Sequence, residues 1–552
     1  MTFNIQVSEG GRHGKNGRPT WEEYAESVRF RSFEDDLLDD EAWRQRERMI
    51  ADSGLTSLGQ PLRERLTELE QRLEKRLEEI NRRIAAGENK HIQIKKSGSR
   101  IRWTLQYPRG SEAVNHSFFD SLKQIDISSV MHFVNQDCRS LDAFEHVLGR
   151  YAKQARDDRI IIACLIAWGT NMGLGRMAAT SDIDYPLLAA TSDNFIRLET
   201  LKEANDRVSN AIAKLAIFRH YDVGGVVHSS SDGQKFETRI DTINARHSPK
   251  YFGLKKGVVS YTLVANHIPV NAKIIGANEH ESHYVFDILF NNTTDIQSDL
   301  HSTDAHGRNQ VNSLILDLFG YRFAPRYADI FEKVAKSLYG FKHPSQYDRG
   351  WLIKPVRKIN TDLILDEEEN IKRIMLSLAL KTTTQSIIIG KLSAHARKNK
   401  TKRALWEYDN IITSLYLLDY IDLPPLRRNI QLVLNRGENY HKLRRAVSFA
   451  NFGKLRFKTE QEQQLWSESS RLVTGCMIYF NGSVLSNMLI HREINGDAQA
   501  AATLAQISPV AWPHINLHGR FEFNKRPEFI DMATIIDELS RLQLILEPAP
   551  DI

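Results

Sequence analysis

Two aspartates close short segments whose composition predicts β-strands. Asp232 ends the β-branched, serine-rich segment 225–232, and Asp304 ends the segment 299–304. The two acids are 72 positions apart (304 minus 232), so only folding can bring them together. If the two strands are neighbours in one sheet, the carboxylates lie within a few ångströms of each other.

Paired carboxylates of this kind suit the cleavage of a phosphodiester. That reaction needs a nucleophile, a stabilised leaving oxygen and neutralisation of the charge that builds on phosphorus. Two Mg²⁺ ions about 3.5 to 4 Å apart supply all three and are held by hard oxygen ligands. We therefore expect Mg²⁺ as the cofactor, in two ions with Mn²⁺ as a substitute, and we expect at least one more carboxylate.

Glu438 is the predicted third carboxylate. It follows Gly437, where a helix is expected to begin, and helical spacing places it on one face with a histidine and two cations, His441, Lys442 and Arg445. An acid among cations suits a metal ligand beside a DNA backbone. Spacing alone leaves an alternative open, in which Glu438 is a first-turn acid that complements the helix dipole.

The segments around these acids predict how the acids are positioned. The predicted order is strand, strand, strand, helix, strand, helix, at residues 225–232, 258–264, 268–275, 280–290, 299–304 and 309–319. The first three strands form an antiparallel meander. This order opens an RNase H-like fold, in which the fourth strand lies parallel beside the first through a right-handed crossover.

The segments before residue 223 are predicted to be mainly helical. Apolar residues spaced by three and four from Leu62 to Ile84 mark one long amphipathic helix, which either packs within a helical domain or dimerises as a coiled coil. The glycine-rich segment 169–175, GTNMGLG, lacks the lysine of a P-loop and follows no strand. We therefore interpret it as a connection between two helices.

Composition excludes several classes of protein. The 552 residues are 41% apolar, enough for several globular domains, and the three cysteines are too far apart for a disulfide framework or a zinc site. No apolar run reaches the ~18 residues of a membrane span, so we expect a cytoplasmic protein. The net charge of +5 proves no nucleic-acid partner, but basic residues crowd into 391–403 and 427–445.

Six strings resemble the Tn-three family of replicative transposases. They are SSDGQKF (230–236), KYFGLKKGVVSYT (250–262), STDAHG (302–307), LFGYRFAPR (318–326), LRRNIQLVLNRGE (426–438) and SPVAWPHINLHGRFEF (508–523). The resemblance is close over about 121–523 and looser over 21–89. It implies an Asp-Asp-Glu triad of Asp232, Asp304 and Glu438, whose main rivals are Asp299 and the run 366–369. It also implies replicative joining of DNA, with a bacterial, nucleoid-associated location.

Together these patterns predict an α+β, α-rich protein. It contains an RNase H-like catalytic core, a mixed five-stranded sheet with helices, which carries a large helical insertion and follows helical domains. The predicted domains are an N-terminal linker and amphipathic helical region (1–120), a helical domain (121–222), the first part of the core (223–343), the insertion (344–422), the second part of the core with the Glu438 helix (423–530) and a C-terminal tail (531–552).

Cations near the predicted site are expected to hold DNA, although any of them could equally lie on a solvated helix face. They are Lys398, Lys400, Lys402, Arg403, Arg436, Lys442 and Arg445. The expected partners are transposon terminal inverted repeats and target DNA, with a probable homodimer.

Members of the family are longer and carry N-terminal modules that recognise the terminal repeats. The resemblance therefore allows for a separate N-terminal DNA-binding half. It leaves open an alternative function as a truncated, non-autonomous DNA-binding remnant that regulates a full-length transposase.

Overall fold

Helices and a mixed sheet are described in a computed structural model that covers residues 36–97, 100–106, 117–394 and 399–541. The helices are α1 (Asp40–Arg44), α2 (Arg46–Ser53), α3 (Thr56–Gly59), α4 (Leu62–Ala85), α5 (Ile127–Cys138), α6 (Asp158–Gly169), α7 (Leu174–Thr180), α8 (Tyr185–Phe195), α9 (Leu198–Lys214), α10 (Pro249–Phe252), α11 (Val285–Phe290), α12 (Asn312–Leu318), α13 (Ile330–Ser337), α14 (Thr361–Asp366), α15 (Glu368–Ala379), α16 (Gln385–Ala394), α17 (Lys400–Asp422), α18 (Pro424–Val447), α19 (Glu460–Ile494), α20 (Ala498–Leu504) and α21 (Met532–Ser540).

The strands are shorter and fewer than the helices. They are β1 (Ile92–Ser97), β2 (Arg100–Leu105), β3 (Ile125–Asp126), β4 (His228–Glu237), β5 (Arg246–His247), β6 (Lys256–Ala265), β7 (Ile268–Gly276), β8 (Leu300–Ser302), β9 (Arg322–Phe323), β10 (Tyr339–Gly340), β11 (Arg357–Lys358) and β12 (Ile515–Asn516). The predicted α-rich mixture of helices and sheet is confirmed.

The chain forms two units. The smaller unit takes its described residues from Met1–Arg82, Asn309–Gly320 and Ala335–Leu415, and the larger takes them from Arg83–Arg308, Tyr321–Val334 and Tyr416–Ile552. All the residues of the predicted triad belong to the larger unit.

Within the smaller unit, α4 has a single apolar stripe. Leu73, Leu77 and Ile80 on this stripe are fully buried. Asn81, at the end of the stripe, donates from Nδ2 to the carbonyl of Ile353 over 2.7 Å. The amphipathic helix therefore packs within a helical body of its own chain, the first of the two alternatives, and its apolar stripe is not left open for a coiled coil.

The main sheet of the larger unit has six strands. Their order is β5-β6-β4-β8-β9, and β7 also pairs with β6. Strands β4, β6 and β7 form an antiparallel meander, whereas β8 pairs in parallel with both β4 and β9. The predicted meander and the predicted parallel neighbour of the first strand are both observed. The two-residue strands β5 and β9 were not among the segments predicted as strands.

The core beneath this sheet is built from alternating apolar residues of the meander. Phe236, Val258 and Ile274 from three strands pack against Trp466 of α19 and against Leu455. Helix α19 begins with a capping box, in which Thr459 and Glu462 satisfy each other's backbone amides. It then runs for 35 residues and contacts β7 and the helices α5, α6, α9 and α18.

Helix α19 is also long and apolar enough by composition to cross a membrane. However, 89% of its most apolar window is buried inside the protein, as expected for the central helix of a folded core.

The GTNMGLG segment joins two helices, as predicted. Helix α6 ends at Gly169 and α7 begins at Leu174. Between them Asn171 has φ +64° and Gly173 has φ +77°. Two residues in the left-handed region turn the chain sharply within four positions.

Candidate active site

Asp232 and Asp304 are placed side by side by the parallel pairing of β4 with β8. In that pairing His228 lies opposite Leu300 and Ser230 lies opposite Ser302, a constant offset of 72 positions (300 minus 228, and 302 minus 230). The same offset carried two residues further aligns Asp232 with Asp304. The two acids therefore leave the shared part of the sheet at the same edge.

The strand around Asp232 differs from the prediction in one respect. We expected the first strand to end at Asp232, but β4 continues to Glu237. Beyond Ser230 it pairs only with β6, because β8 ends at Ser302. Asp232 therefore lies in mid-strand, at the point where one neighbouring strand ends and leaves open space beside the carboxylate.

Buried hydrogen bonds use the serines of β4. The imidazole of His301 in β8 lies between two of them, with Nδ1 2.8 Å from Ser229 Oγ and Nε2 2.9 Å from Ser231 Oγ. Burial, with a smaller effect from His228, lowers the pKa of His301 to about 3, so the ring is neutral. These serines therefore join the two strands in the protein interior.

Asp304 is held by the turn that follows β8. Its Oδ1 accepts hydrogen bonds from the amides of His306, over 2.8 Å, and Gly307, over 3.2 Å. A Cβ at Gly307 would lie 2.4 Å from Cβ of Thr303, so this tight turn requires glycine. The segment DAHG thus fixes the Asp304 carboxylate at the end of its strand.

Asp232 carries the strongest electrostatic perturbation among the predicted acids. Its Oδ1 accepts from the amide of Gly233 over 2.8 Å, and its side chain remains 35% exposed. Burial, together with the negative charges of Glu281 and Asp304, raises its pKa to about 7. An excess of negative charge therefore gathers at this edge of the sheet.

Glu281 is an acid at the site that the sequence analysis missed. It begins a short 3₁₀ turn before α11, its side chain is only 10% exposed, and its Oε1 lies 3.4 Å from Nζ of Lys235. A Cβ at position 233 would come within 2.2 Å of that oxygen, so glycine next to Asp232 makes room for Glu281. A glycine inside a strand often marks such a close approach, and this was the available signal.

Helix α18 carries Glu438 along β4. Ser230 Oγ donates to the carbonyl of Val433 over 3.1 Å, and Gln234 Nε2 donates to the carbonyl of His441 over 2.8 Å. Gly437 faces Ser230, because a Cβ there would lie 3.1 Å from its Oγ. The helix therefore lies against the strand on both sides of Asp232, and Glu438 is an exposed residue next to this contact.

Two details of the Glu438 prediction were wrong. The helix begins at Pro424, not at Glu438, so Glu438 is far from the first turn and does not complement the helix dipole there. His441 is buried and does not lie on the exposed face with Lys442 and Arg445. Its Nδ1 lies 3.7 Å from Oδ2 of Asp232. Burial, then Arg444 and Arg445, lower the pKa of His441 to about 3, so this contact is polar and is not an ion pair.

Comparison with known protein families shows to which family the chain is related. Residues 129–521 match the family model described as the Tn3 transposase DDE domain. The chain belongs to this family. The resemblance found in the sequence is therefore confirmed.

Curated relatives agree with the family model. The chain is 28% identical over 504 residues to the transposase for transposon Tn1546 of Enterococcus faecium, which covers 90% of this chain and 49% of that protein. It is 28% identical over 503 residues to the transposase for transposon Tn21 of Escherichia coli, with the same two shares. It is 30% identical over 373 residues to the transposase for transposon Tn3926 of Escherichia coli, with shares of 66% and 37%. The chain thus spans about half the length of these relatives.

A DDE domain implies dependence on divalent metal ions, and the residues at the sheet edge fit that requirement in part. Asp232 and Asp304 offer adjacent hard oxygen donors, and a cation would relieve the crowding that raises the pKa of Asp232. Within the described ranges, however, no group of three or more histidine, cysteine, aspartate or glutamate side chains is arranged to hold a metal. Shared coordination by Asp232, Asp304 and Glu438 stays a prediction.

The predicted DNA-contacting cations divide into three sets. Lys400 and Arg403 of α17, and Lys442 and Arg445 of α18, are exposed and stay predictions. Lys398 lies outside the described residues. The third set, Lys402 and Arg436, is buried.

Lys402 and Arg436 do not fit the prediction of a DNA contact. Arg436 is 3% exposed, and its NH1 donates to the carbonyl of Tyr221 over 2.7 Å. Lys402 is 6% exposed and lies with Nζ 5.1 Å from the ring centroid of Trp406. Both cations contact groups in the protein interior. The sequence pattern had predicted instead that they lie on the exposed sides of their helices.

Proposed function

We propose that this chain is the catalytic portion of a DNA transposase, which cleaves the 3′ ends of a transposon and joins them to target DNA. The observation that carries the proposal is the parallel register that aligns Asp232 with Asp304, beside the helix that bears Glu438. The strand order, with a parallel strand next to the first strand of a meander, supports an RNase H-like core. The domain boundaries predicted from the sequence belong to the same proposal.

Asp232, Asp304 and Glu438 would hold two Mg²⁺ ions, with Mn²⁺ as a substitute. When bound, these cations supply neutralisation of the charge on phosphorus and activation of the attacking hydroxyl. The adjacent carboxylates favour cation binding, because burial and then the charges of Glu281 and Asp304 raise the pKa of Asp232, and a bound cation would stabilise its ionised form. At neutral pH and without metal, Oδ2 of Asp232 can hold a proton that a cation displaces.

The chemistry has two steps of the same kind. In the first, a water oxygen bonds to the scissile phosphorus, the bond from phosphorus to O3′ breaks, and the departing O3′ takes up a proton. In the second, that 3′-hydroxyl bonds to a target phosphorus, its proton leaves, and the target O3′ departs. No covalent bond to the protein forms, which agrees with the buried, structural role of the serines on β4.

Exposed cations of α18 would orient the DNA. Glu438, Lys442 and Arg445 recur at helical spacing, so the two cations follow the acid along one exposed face. Phosphate contacts from such cations hold the backbone and carry little sequence information. We therefore include in the proposal terminal inverted repeats and target DNA as partners, a separate N-terminal DNA-binding half that reads the repeats, and a homodimer. Replicative joining and association with the nucleoid are further parts of it.

A substitution at the sheet edge tests the proposal. The variants Asp232→Asn and Asp304→Asn keep the shape of each side chain but remove its charge. We expect nicking of a supercoiled plasmid, and joining of a 3′-hydroxyl duplex to that plasmid, to fall about a thousandfold, the scale of several kcal/mol of lost charge stabilisation. DNA affinity at one fixed salt concentration should stay within about twofold, because the cations are unchanged.

Asp299→Asn is the matched control. Asp299 precedes β8 at the end opposite Asp304, is exposed, and accepts from the amide of Val227 over 3.0 Å. It was also the main rival in the sequence, and its variant should keep full activity. Activity that survives in Asp304→Asn, or a joint loss of cleavage and DNA binding, would show that Asp304 is a structural residue.

A further inference from the structure

A cleft of about 930 Å³ opens at the end of β4 that lies away from Asp232. One wall is formed by the end of this strand, at Glu237, Thr238 and Arg239, and the other by the loop that follows α18. The two walls are tied together, because Leu455 of the loop exchanges backbone hydrogen bonds with Glu237 and Arg239, both over 2.8 Å. The cleft is therefore a built feature of the fold.

The lining of the cleft is positively charged. Glu237 forms ion pairs with both Lys255 and Lys454, over 3.0 and 3.1 Å. This group of one acid and two cations therefore carries one net positive charge. Arg176 and Arg239 also line the cleft, are exposed, and form no ion pair with a described residue. Positive charge that is not neutralised by the protein indicates an anionic ligand.

Phenylalanines stand exposed at the rim of this cleft. Phe452 is 87% exposed and Phe449 is 56% exposed. Asn451 and Phe452 both have left-handed backbones, with φ of +60° and +56°. The left-handed region is unfavourable for a bulky residue, so consecutive residues persist there only when their surroundings enforce it.

Asn171 of the GTNMGLG segment enforces this conformation. It is buried, its Nδ2 donates to the carbonyls of Ala450 and Lys454 over 3.0 and 2.8 Å, and its Oδ1 accepts from the amide of Arg456 over 3.2 Å. Its own carbonyl accepts from Nδ2 of Asn451 over 2.7 Å. Four hydrogen bonds thus hold the loop so that Phe452 is presented to solvent.

We propose that this cleft binds a single DNA strand, with an unpaired base stacked on Phe452. An exposed, rigidly presented aromatic ring beside cations is the arrangement by which proteins hold unpaired bases without reading their sequence. The ring supplies a stacking surface, and Arg176 and Arg239 supply contacts to phosphate. This inference rests on the proposed function for its source of unpaired DNA, the strand that is cleaved and joined at the carboxylates.

The distance between the two sites sets how much DNA lies between them. Glu237 is five residues beyond Asp232 along β4, or about 17 Å at the spacing of an extended strand. Helix α18 runs nine residues beyond Glu438 (447 minus 438), or about 14 Å at the helical rise, and the loop of Phe449 follows it. A strand whose phosphate lies at Asp232 would therefore place its base at Phe452 at most about five nucleotides away, at the 3.4 Å per nucleotide of a stacked strand, and fewer if the strand is extended.

Binding by Phe452 variants tests this inference. Fluorescence anisotropy of the full chain, in EDTA and at one salt concentration, would compare a short oligothymidylate with a matched duplex. We expect Phe452→Ala to weaken binding of the single strand about tenfold, the scale of one lost base-stacking contact, and binding of the duplex less than about twofold. Phe452→Trp, which keeps an aromatic face, should bind the single strand as the parent does.

Phe529→Ala is the matched control, because Phe529 is similarly exposed, at 80%, and does not line the cleft. It should bind both DNAs normally. Because Phe452 is exposed, its variants should melt at the parent temperature, and this is measured first. The inference is overturned if Phe452→Ala binds the single strand as well as the parent does, or if it loses the single strand and the duplex equally. It is also overturned if the variant changes the oligomeric state with no effect on DNA.

The same design separates this inference from the proposed function. Binding in EDTA needs no cleavage, so a chain that binds through Phe452 but never cuts DNA contradicts only the transposase proposal. A chain that cuts DNA but binds single strands independently of Phe452 contradicts only the cleft.

Discussion

The two ends of the segment from Asp232 to Glu237 of β4 lie about 17 Å apart and have opposite character. Around Asp232 carboxylates crowd together, and burial with the charges of Glu281 and Asp304 raises the pKa of Asp232 to about 7. Around Glu237 cations are in excess. Burial alone would raise the pKa of Glu237, but hydrogen bonds from Lys255 and Lys454 outweigh it and lower that pKa.

This difference separates two tasks along one strand. The acidic end brings carboxylates together and suits a metal ion that acts on a phosphate, whereas the basic end has an excess of cations and suits the backbone of a DNA strand. Helix α18 runs beside the strand and serves both ends, since it carries Glu438 and leads into the loop of Phe452. The comparison predicts that variants at one end affect turnover and variants at the other affect binding.

The largest expected effect is on turnover. Glu438→Gln should lower the nicking rate at saturating DNA by roughly a hundredfold or more, the scale of a few kcal/mol of lost metal binding, with little change in the DNA concentration for half-maximal rate. Phe452→Ala should do the reverse on a duplex that carries an unpaired strand next to the cleavage position, raising that concentration while the saturated rate stays within about twofold. Cleavage of this duplex, measured against its concentration, checks both variants. If saturating DNA failed to rescue Phe452→Ala, the two ends would not be separable.

A smaller effect is expected from Asn171, whose hydrogen bonds hold the loop of Phe452. Asn171→Ala removes its side-chain hydrogen bonds to the partly buried carbonyls of Ala450 and Lys454, at a cost of about 1 kcal/mol each. Single-strand affinity should fall by up to about tenfold, since Phe452 loses its fixed position. Limited proteolysis should then cut residues 449–453 faster than in the parent. Unchanged proteolysis and affinity would mean that the loop holds its shape without Asn171.

The smallest expected effect is on stability against pH in EDTA. The Asp232 carboxyl has a pKa of about 7 in the folded chain and about 4 when unfolded, so between these values the folded chain holds the extra proton. Its contribution to stability is therefore present below pH 4 and is lost as the pH rises through 7. Asp232→Asn should raise Tm above the parent value by a few °C at pH 8, where the parent carboxylate is ionised, and by less at pH 5, where the folded parent holds the proton. The effect is small because partial exposure screens the charge.

Calorimetry at both pH values measures this difference, with Asp299→Asn as the control that shows no such dependence. Adding Mn²⁺ at pH 8 should raise the Tm of the parent more than that of Asp232→Asn, because a ligand that binds the folded state stabilises it. An equal Tm difference at pH 5 and pH 8 would contradict the raised pKa.

Much of the sheet edge was predictable because its signals are local. Alternating apolar residues marked β6 and β7, and one topological rule placed Asp304 beside Asp232 across 72 positions. The start of α18 was not predictable in this way, since Gly437 was interpreted as a helix start. It lies in mid-helix, where a Cβ would make a tight contact of 3.1 Å with Oγ of Ser230.

The remaining differences depend on tertiary contacts that no periodicity reveals. Arg436 and Lys402 belong to basic runs, yet the carbonyl of Tyr221 and the ring of Trp406 give them interior surroundings. Glu281 has no sequence neighbour among the predicted acids and reaches Asp232 only through folding. The exposed Phe452 depends on Asn171, which is 281 positions away in the chain (452 minus 171).

The 35 residues of α19 have a consequence for how the larger unit unfolds. This helix contacts β7 of the sheet as well as α5, α6 and α9, which precede the sheet in the chain. Arg471, which forms a buried ion pair with Glu468, also donates from NH1 to the carbonyl of Val270 in β7. Unfolding either the sheet or the helices that precede it would expose the same helix to solvent. We therefore expect the sheet and these helices to unfold together, in one cooperative transition.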